Sequence, residues 1–75
     1  MGRWSKALEV STRESIFSGA MVKSINHENG FCFIDNGTIT IYGVVTKNYM
    51  PLPGKNVIAR FDSLDRMIEA GWVID

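Results

Sequence analysis

From Ser18 onward the chain alternates between apolar and polar positions. The stretch TITIYGVV (Thr38–Val45) puts Thr38, Thr40 and Tyr42 on one side and Ile39 and Ile41 on the other, the period-two pattern of a half-buried strand. KNVIARFD (Lys55–Asp62) alternates again, with Val57, Ala59 and Phe61 against Ile58 and Arg60. AMVKSIN (Ala20–Asn26) and FCFID (Phe31–Asp35) are also strand-like. The turn signals are HENG (His27–Gly30) before the second of them and Asn36-Gly37 after it, since Asn-Gly is the strongest short hairpin signal. These patterns predict strands near Ala20–Asn26, Gly30–Asp35, Thr38–Val44, Asn56–Asp62 and Ala70–Ile74. Val22, Ile34, Ile39, Ile41, Val57 and Phe61 form the expected core, and Trp72 packs in the last strand. TKNYMPLPG (Thr46–Gly54) reads as a loop, because Pro51, Pro53 and Gly54 are incompatible with a central strand. SLDR (Ser63–Arg66) reads as a turn or short connector.

A meander of three strands, a longer loop and two more strands predict an all-β fold. The expected architecture is a small five-stranded antiparallel barrel of the oligonucleotide/oligosaccharide-binding (OB) type, because closure removes exposed edges. A small SH3-like barrel is the rival. Residues 1–17 form an N-terminal extension, partly flexible, and residues 18–75 the barrel domain. Ser11 to Glu14 fits a capping box, but β-branched residues interrupt the helical signal. Met1 to about Val10 is therefore expected to be a frayed or loosely docked tail. Trp4 is expected to pack back on the domain, with a partner or ligand contact as the alternative.

At 75 residues the chain is one small domain. A single cysteine, Cys32, excludes an intrachain disulfide, and no Cys/His cluster offers a zinc site. The core must come from packing alone. No apolar run approaches the roughly 20 residues of a membrane span, and the N-terminus lacks the apolar stretch of a signal peptide. The expected setting is cytoplasmic, with no membrane partner. Eight basic residues balance eight acidic ones. That argues against an avid, nonspecific nucleic-acid binder, but not against positive charge confined to one groove.

The stretch VKSINHENGFCFI resembles the first two strands of bacterial cold-shock proteins, which run V-K-W-F-N-x-x-K-G-F-G-F-I. Val22, Lys23, Asn26, Gly30, Phe31, Phe33 and Ile34 match without a gap. PGKNVIARF and AGWVI are similar to later strands of that family, so the likeness covers roughly Gly19 to Ile74. NGTITIYG, KNY and PGKNVIARFDSLDR also resemble bacterial translation initiation factor one and its S1-type relatives. Both families are OB barrels that bind RNA. The departures fall on the binding face. Ser24 and Ile25 stand where cold-shock proteins carry Trp and Phe, and Asn29 where they carry Lys. In the second ribonucleoprotein motif Thr40 replaces a stacking Phe, Tyr42 the His, and Gly43 the second Phe.

FCFI is apolar on both faces, so alternation alone does not orient it. Without the family resemblance Phe31 and Phe33 read as core; Cys32 and Ile34 nevertheless make an acceptable core pair, which would turn the two rings outward beside Thr40, Tyr42 and Lys23. The resemblance implies the same orientation. Outward rings form a platform for bases, each stack contributing about 1–3 kcal/mol. The candidate nucleic-acid-binding residues are Lys23, Phe31, Phe33, Tyr42 and Arg60, with Lys47 and Lys55 as further phosphate contacts if they rim that face. His27 reads as an exposed turn residue. Cys32 has no basic neighbour in sequence to activate it, and Asp62, Asp65 and Glu69 do not form a calcium-type loop. The expected protein is not an enzyme and uses no cofactor or metal. It binds single-stranded RNA, or less readily DNA, with modest affinity. The alternatives are a protein partner docking on the same barrel, or a bare structural or engineered barrel. The oligomeric state is not legible in these residues.

Overall fold

The computed structural model describes residues 4–75. Seven elements follow one another: α1 (Lys6–Ser15), β1 (Met21–Ser24), β2 (Asn29–Asp35), β3 (Thr38–Lys47), β4 (Met50–Phe61), α2 (Leu64–Glu69) and β5 (Trp72–Ile74). The strands form a single antiparallel sheet in the order β4-β3-β2-β1-β5. The mainly β character and the five strands are as expected. Barrel closure is not made: β4 and β5 are the two edges of an open sheet.

One face of the sheet carries the core. Val22, Cys32, Ile39 and Ile41 are buried there with Ala20 and Trp72. Helix α2 completes that core. The Ser63 hydroxyl caps it by accepting from the Arg66 N–H at 3.2 Å, and Met67 and Ile68 are buried against the sheet. A plug of two large side chains fills the space that closure would otherwise have to seal. Ile34 and Phe61 are half-buried and pack against this cluster, whereas Val57, expected in the core, is exposed.

The N-terminal segment corrects the expected tail. Its first residues, Met1–Arg3, lie outside the described residues, but Lys6–Ser15 is a helix. Ser5 caps it, its hydroxyl accepting from the Leu8 N–H at 3.2 Å, so Ser11 is a mid-helix residue and not the cap. Thr12 is fully buried, and its hydroxyl donates to the Leu8 carbonyl at 2.8 Å while accepting from the Ile74 N–H at 3.0 Å. Trp4 Nε1 donates to the Gly71 carbonyl at 2.7 Å, so the ring does pack back on the domain. The helix thereby covers the β5 edge, whose backbone would otherwise be free for another strand.

Two turns also differ from the expectation. Asn29-Gly30 lies inside β2, and the first hairpin turns at residues 25–28. The buried Ser24 hydroxyl organises that turn by accepting from the Asn26 and Glu28 N–H groups at 3.1 and 3.2 Å. Gly30 is needed for packing: a Cβ there would stand 2.5 Å from Ile41 Cγ2 and 2.8 Å from the Tyr42 carbonyl oxygen. The expected loop at Thr46–Gly54 is the far half of a long β3–β4 hairpin, closed by the pair Lys47 and Met50. Prolines exclude a central strand but not an edge strand. Pro51 and Pro53 sit two apart, opposite Thr46 and Val44, so both ring nitrogens face away from β3, along the free edge.

Candidate nucleic-acid interface

Register decides which side chains share the second face of the sheet, since directly paired residues point the same way. Phe33 pairs with Thr40, and Thr40 with Arg60. Phe31 pairs with Met21 on one side and Tyr42 on the other. Buried Cys32 lies between the two phenylalanines and points into the core. Phe31, Phe33, Tyr42 and Arg60 are therefore brought together on the face opposite the core. None of the three rings belongs to the core cluster.

The rings are organised. Phe33 and Tyr42 meet edge to face, with centroids 5.4 Å apart and planes at 75°, an arrangement aromatic pairs prefer. Pro53 and Gly54 stand beside them, and the four residues line a groove of about 420 Å³. The groove exists because β4 bulges. Between Tyr42 and Val44 the ladder shifts, so Gly54, Lys55 and Asn56 stand opposite Gly43 alone. Bulges bend the strand that carries them. Gly54 comes so close that a Cβ would lie 3.1 Å from the Gly43 carbonyl oxygen and from Val45 Cγ1. Pro53 and Gly54 were not among the expected site residues, because a segment read as loop carries no face.

Lys23 is the exception among the candidates. It is on the same face, but its ammonium lies 5.0 Å from the Trp4 ring centroid and 3.9 Å from Asp75 Oδ1. It is drawn toward α1 and the last strand, away from the groove. Lys47 and Lys55 are exposed on the hairpin. His27 is exposed in its turn, with φ at 69°. Burial pushes the Cys32 thiol up, which leaves it protonated and a poor nucleophile, and its Sγ donates to the Phe17 carbonyl at 3.5 Å. Among the described residues no three His, Cys, Asp or Glu side chains gather into a metal site, and no helix is long and apolar enough to cross a membrane.

The charge pattern matches the geometry. All eight acidic residues lie outside Asn36–Phe61, while that segment holds Lys47, Lys55 and Arg60. The β3–β4 hairpin of a chain of zero net charge thus carries three cations and no anion, and the nearest acidic residue on the ring face is Asp35 at the end of β2, paired with Thr38. No family model, curated protein or solved structure matches the chain.

Proposed function

We propose that the protein is a noncatalytic binder of single-stranded nucleic acid, RNA before DNA. The observation that carries this reading is the Phe33–Tyr42 groove, formed between β2 and a β3–β4 hairpin that has cations and no anion. Bases stack on Phe33, Tyr42 and the neighbouring Phe31, and Arg60 and Lys55 meet phosphates, while Lys47, on the other parity of β3, adds positive charge near the hairpin tip. Stacking tolerates any base, so sequence preference is weak. The OB-type architecture belongs to this proposal and rests on the motif resemblance. An open meander with its last strand beside β1 also accommodates the SH3-like alternative.

The test is a titration with oligo-U and oligo-dT, followed by amide and aromatic chemical shifts. Shifts should cluster at Phe31, Phe33, Tyr42 and Arg60. Tyr42→Ala should weaken binding by about 1–3 kcal/mol, one lost stack. Two to three phosphate contacts give a slope of log K against log[salt] of about −1.5 to −2. Absence of any shift at millimolar oligonucleotide sinks the proposal, and a much steeper slope would assign the affinity to charge rather than to the rings.

A further inference from the structure

We infer that the tip of the β3–β4 hairpin is the outer end of the same site, with Tyr49 as a further stacking ring. The inference rests on the nucleic-acid reading and extends it to a second contact point. It starts from two turns of one sheet. Asn36-Gly37 joins β2 to β3, with φ at 51° and 84°, and Asn48-Tyr49 joins β3 to β4, with φ at 53° and 65°. Both are two-residue turns with positive φ at each central position, the geometry for which Asn-Gly is preferred. The first turn uses glycine. The second places a bulky aromatic residue where only glycine is unstrained.

Among the described residues no ring contact repays that strain. Tyr49 is 99% exposed, with no other ring packed against it. Strain of this kind is held at sites of contact and recognition. The charge around the ring selects the occupant. Lys47 flanks the turn, Lys55 lies in the bulge at the base of the hairpin, and no acidic residue interrupts Asn36–Phe61. A polyanion fits this surface. The path is continuous as well: Tyr42, Val44 and Thr46 follow one face of β3, matched by Pro53 and Pro51 on β4, from the groove toward the tip. Five residues of strand lead from Tyr42 to Lys47, roughly 17 Å, and Tyr49 sits in the turn just beyond. A stacked strand rises about 3.4 Å per nucleotide, so the two rings are about five or six nucleotides apart, and fewer on an extended strand.

That separation makes chain length the discriminating variable. Oligo-U of three and of ten nucleotides is titrated against wild type, Tyr42→Ala, Tyr49→Ala and Tyr49→Phe, with circular dichroism confirming that each variant folds. Tyr42→Ala should weaken both ligands. Tyr49→Ala should weaken the ten-mer by about 5- to 150-fold, the range of one lost stack, and leave the three-mer unchanged. Tyr49→Phe should keep ten-mer affinity. If Tyr49→Ala binds the ten-mer like wild type while Tyr42→Ala does not, the tip inference falls and the groove stands. If Tyr49→Ala alters only self-association in sedimentation, the tip is a protein contact and the inference is likewise overturned. If wild type binds neither ligand, the nucleic-acid reading fails and the inference with it.

Discussion

The two edges of the sheet are defended by different means, and the difference separates what holds the molecule from what it offers outward. At the β5 edge the defence is specific. Helix α1 lies against the strand, the buried Thr12 hydroxyl takes the Ile74 N–H, and Trp4 reaches the Gly71 carbonyl. At the β4 edge no further strand pairs with the sheet among the described residues. Two prolines remove donors from the free edge and two register shifts bend it. The first arrangement spends polar contacts on closing a surface. The second keeps a surface open while making it unattractive to another strand. The groove and the exposed ring of Tyr49 both belong to the open side.

The largest test of this contrast lies within one strand. Ile41 and Val45 are both on β3, but Ile41 is fully buried and Val45 is exposed on the hairpin. Ile41→Ala should cost about 2–5 kcal/mol, enough to unfold much of so small a domain. Val45→Ala should stay within about 0.5 kcal/mol. Urea melts of the two proteins measure both. Similar midpoints would mean that the distal hairpin contributes to the core after all.

Next comes the sealed edge. Thr12→Val keeps the shape of the side chain and removes the hydroxyl that bridges the Leu8 carbonyl and the Ile74 N–H. A buried amide left without a partner costs about 1–3 kcal/mol. The Ile74 amide should also exchange faster with solvent than in wild type. Unchanged exchange would show that α1 does not guard this edge.

What could be read from the sequence follows the same division. The alternation of TITIY separates the core face of β3 from its outer face, because local sequence carries that period, whereas FCFI is apolar on both faces and its orientation is legible only with the help of the resemblance. The α1 helix was missed. Val10, Ser11 and Thr12 lower its propensity, and its stability comes from Thr12 and Trp4 docking on residues more than 60 positions away. The distal hairpin is not legible because proline excludes a central strand but not an edge strand, and the sequence does not show that Pro51 and Pro53 lie on an edge. The α2 helix was missed for its brevity, although Ser63 before Leu64 is an N-cap residue type. Of the candidate site, Tyr42 and Arg60 are legible from parity, and Phe31 and Phe33 only with the resemblance. Pro53 and Gly54 are not, since only the bulge opposite Gly43 brings them to the groove.

A smaller effect tests whether the ring face is separable from the core. Phe31 is half-buried on the outer face and lies outside the core cluster. Phe31→Ala should therefore destabilise the protein by less than Ile34→Ala, its half-buried neighbour that packs against the core. The expected order is about 1 kcal/mol or less for Phe31 against about 2 kcal/mol for Ile34. Thermal melts settle the orientation without any ligand. If the order is reversed, the strand is oriented the other way and the platform does not exist.

The smallest effect has the opposite sign. Replacing Tyr49 by glycine converts Asn48-Tyr49 into the Asn-Gly turn already present at Asn36-Gly37. The left-handed conformation costs a residue with a side chain about 1–2 kcal/mol relative to glycine. Glycine also makes the unfolded chain more flexible, which takes back about 0.4–1 kcal/mol. The balance is a stabilisation of about 0.5–1 kcal/mol, read as a small rise in the denaturation midpoint with an unchanged slope. The sign matters more than the size. A more stable Tyr49→Gly protein would mean that this chain carries a less stable turn than the one it uses one hairpin earlier. A destabilised Tyr49→Gly protein would mean that the ring supports the fold, and the turn would then need no ligand to explain it.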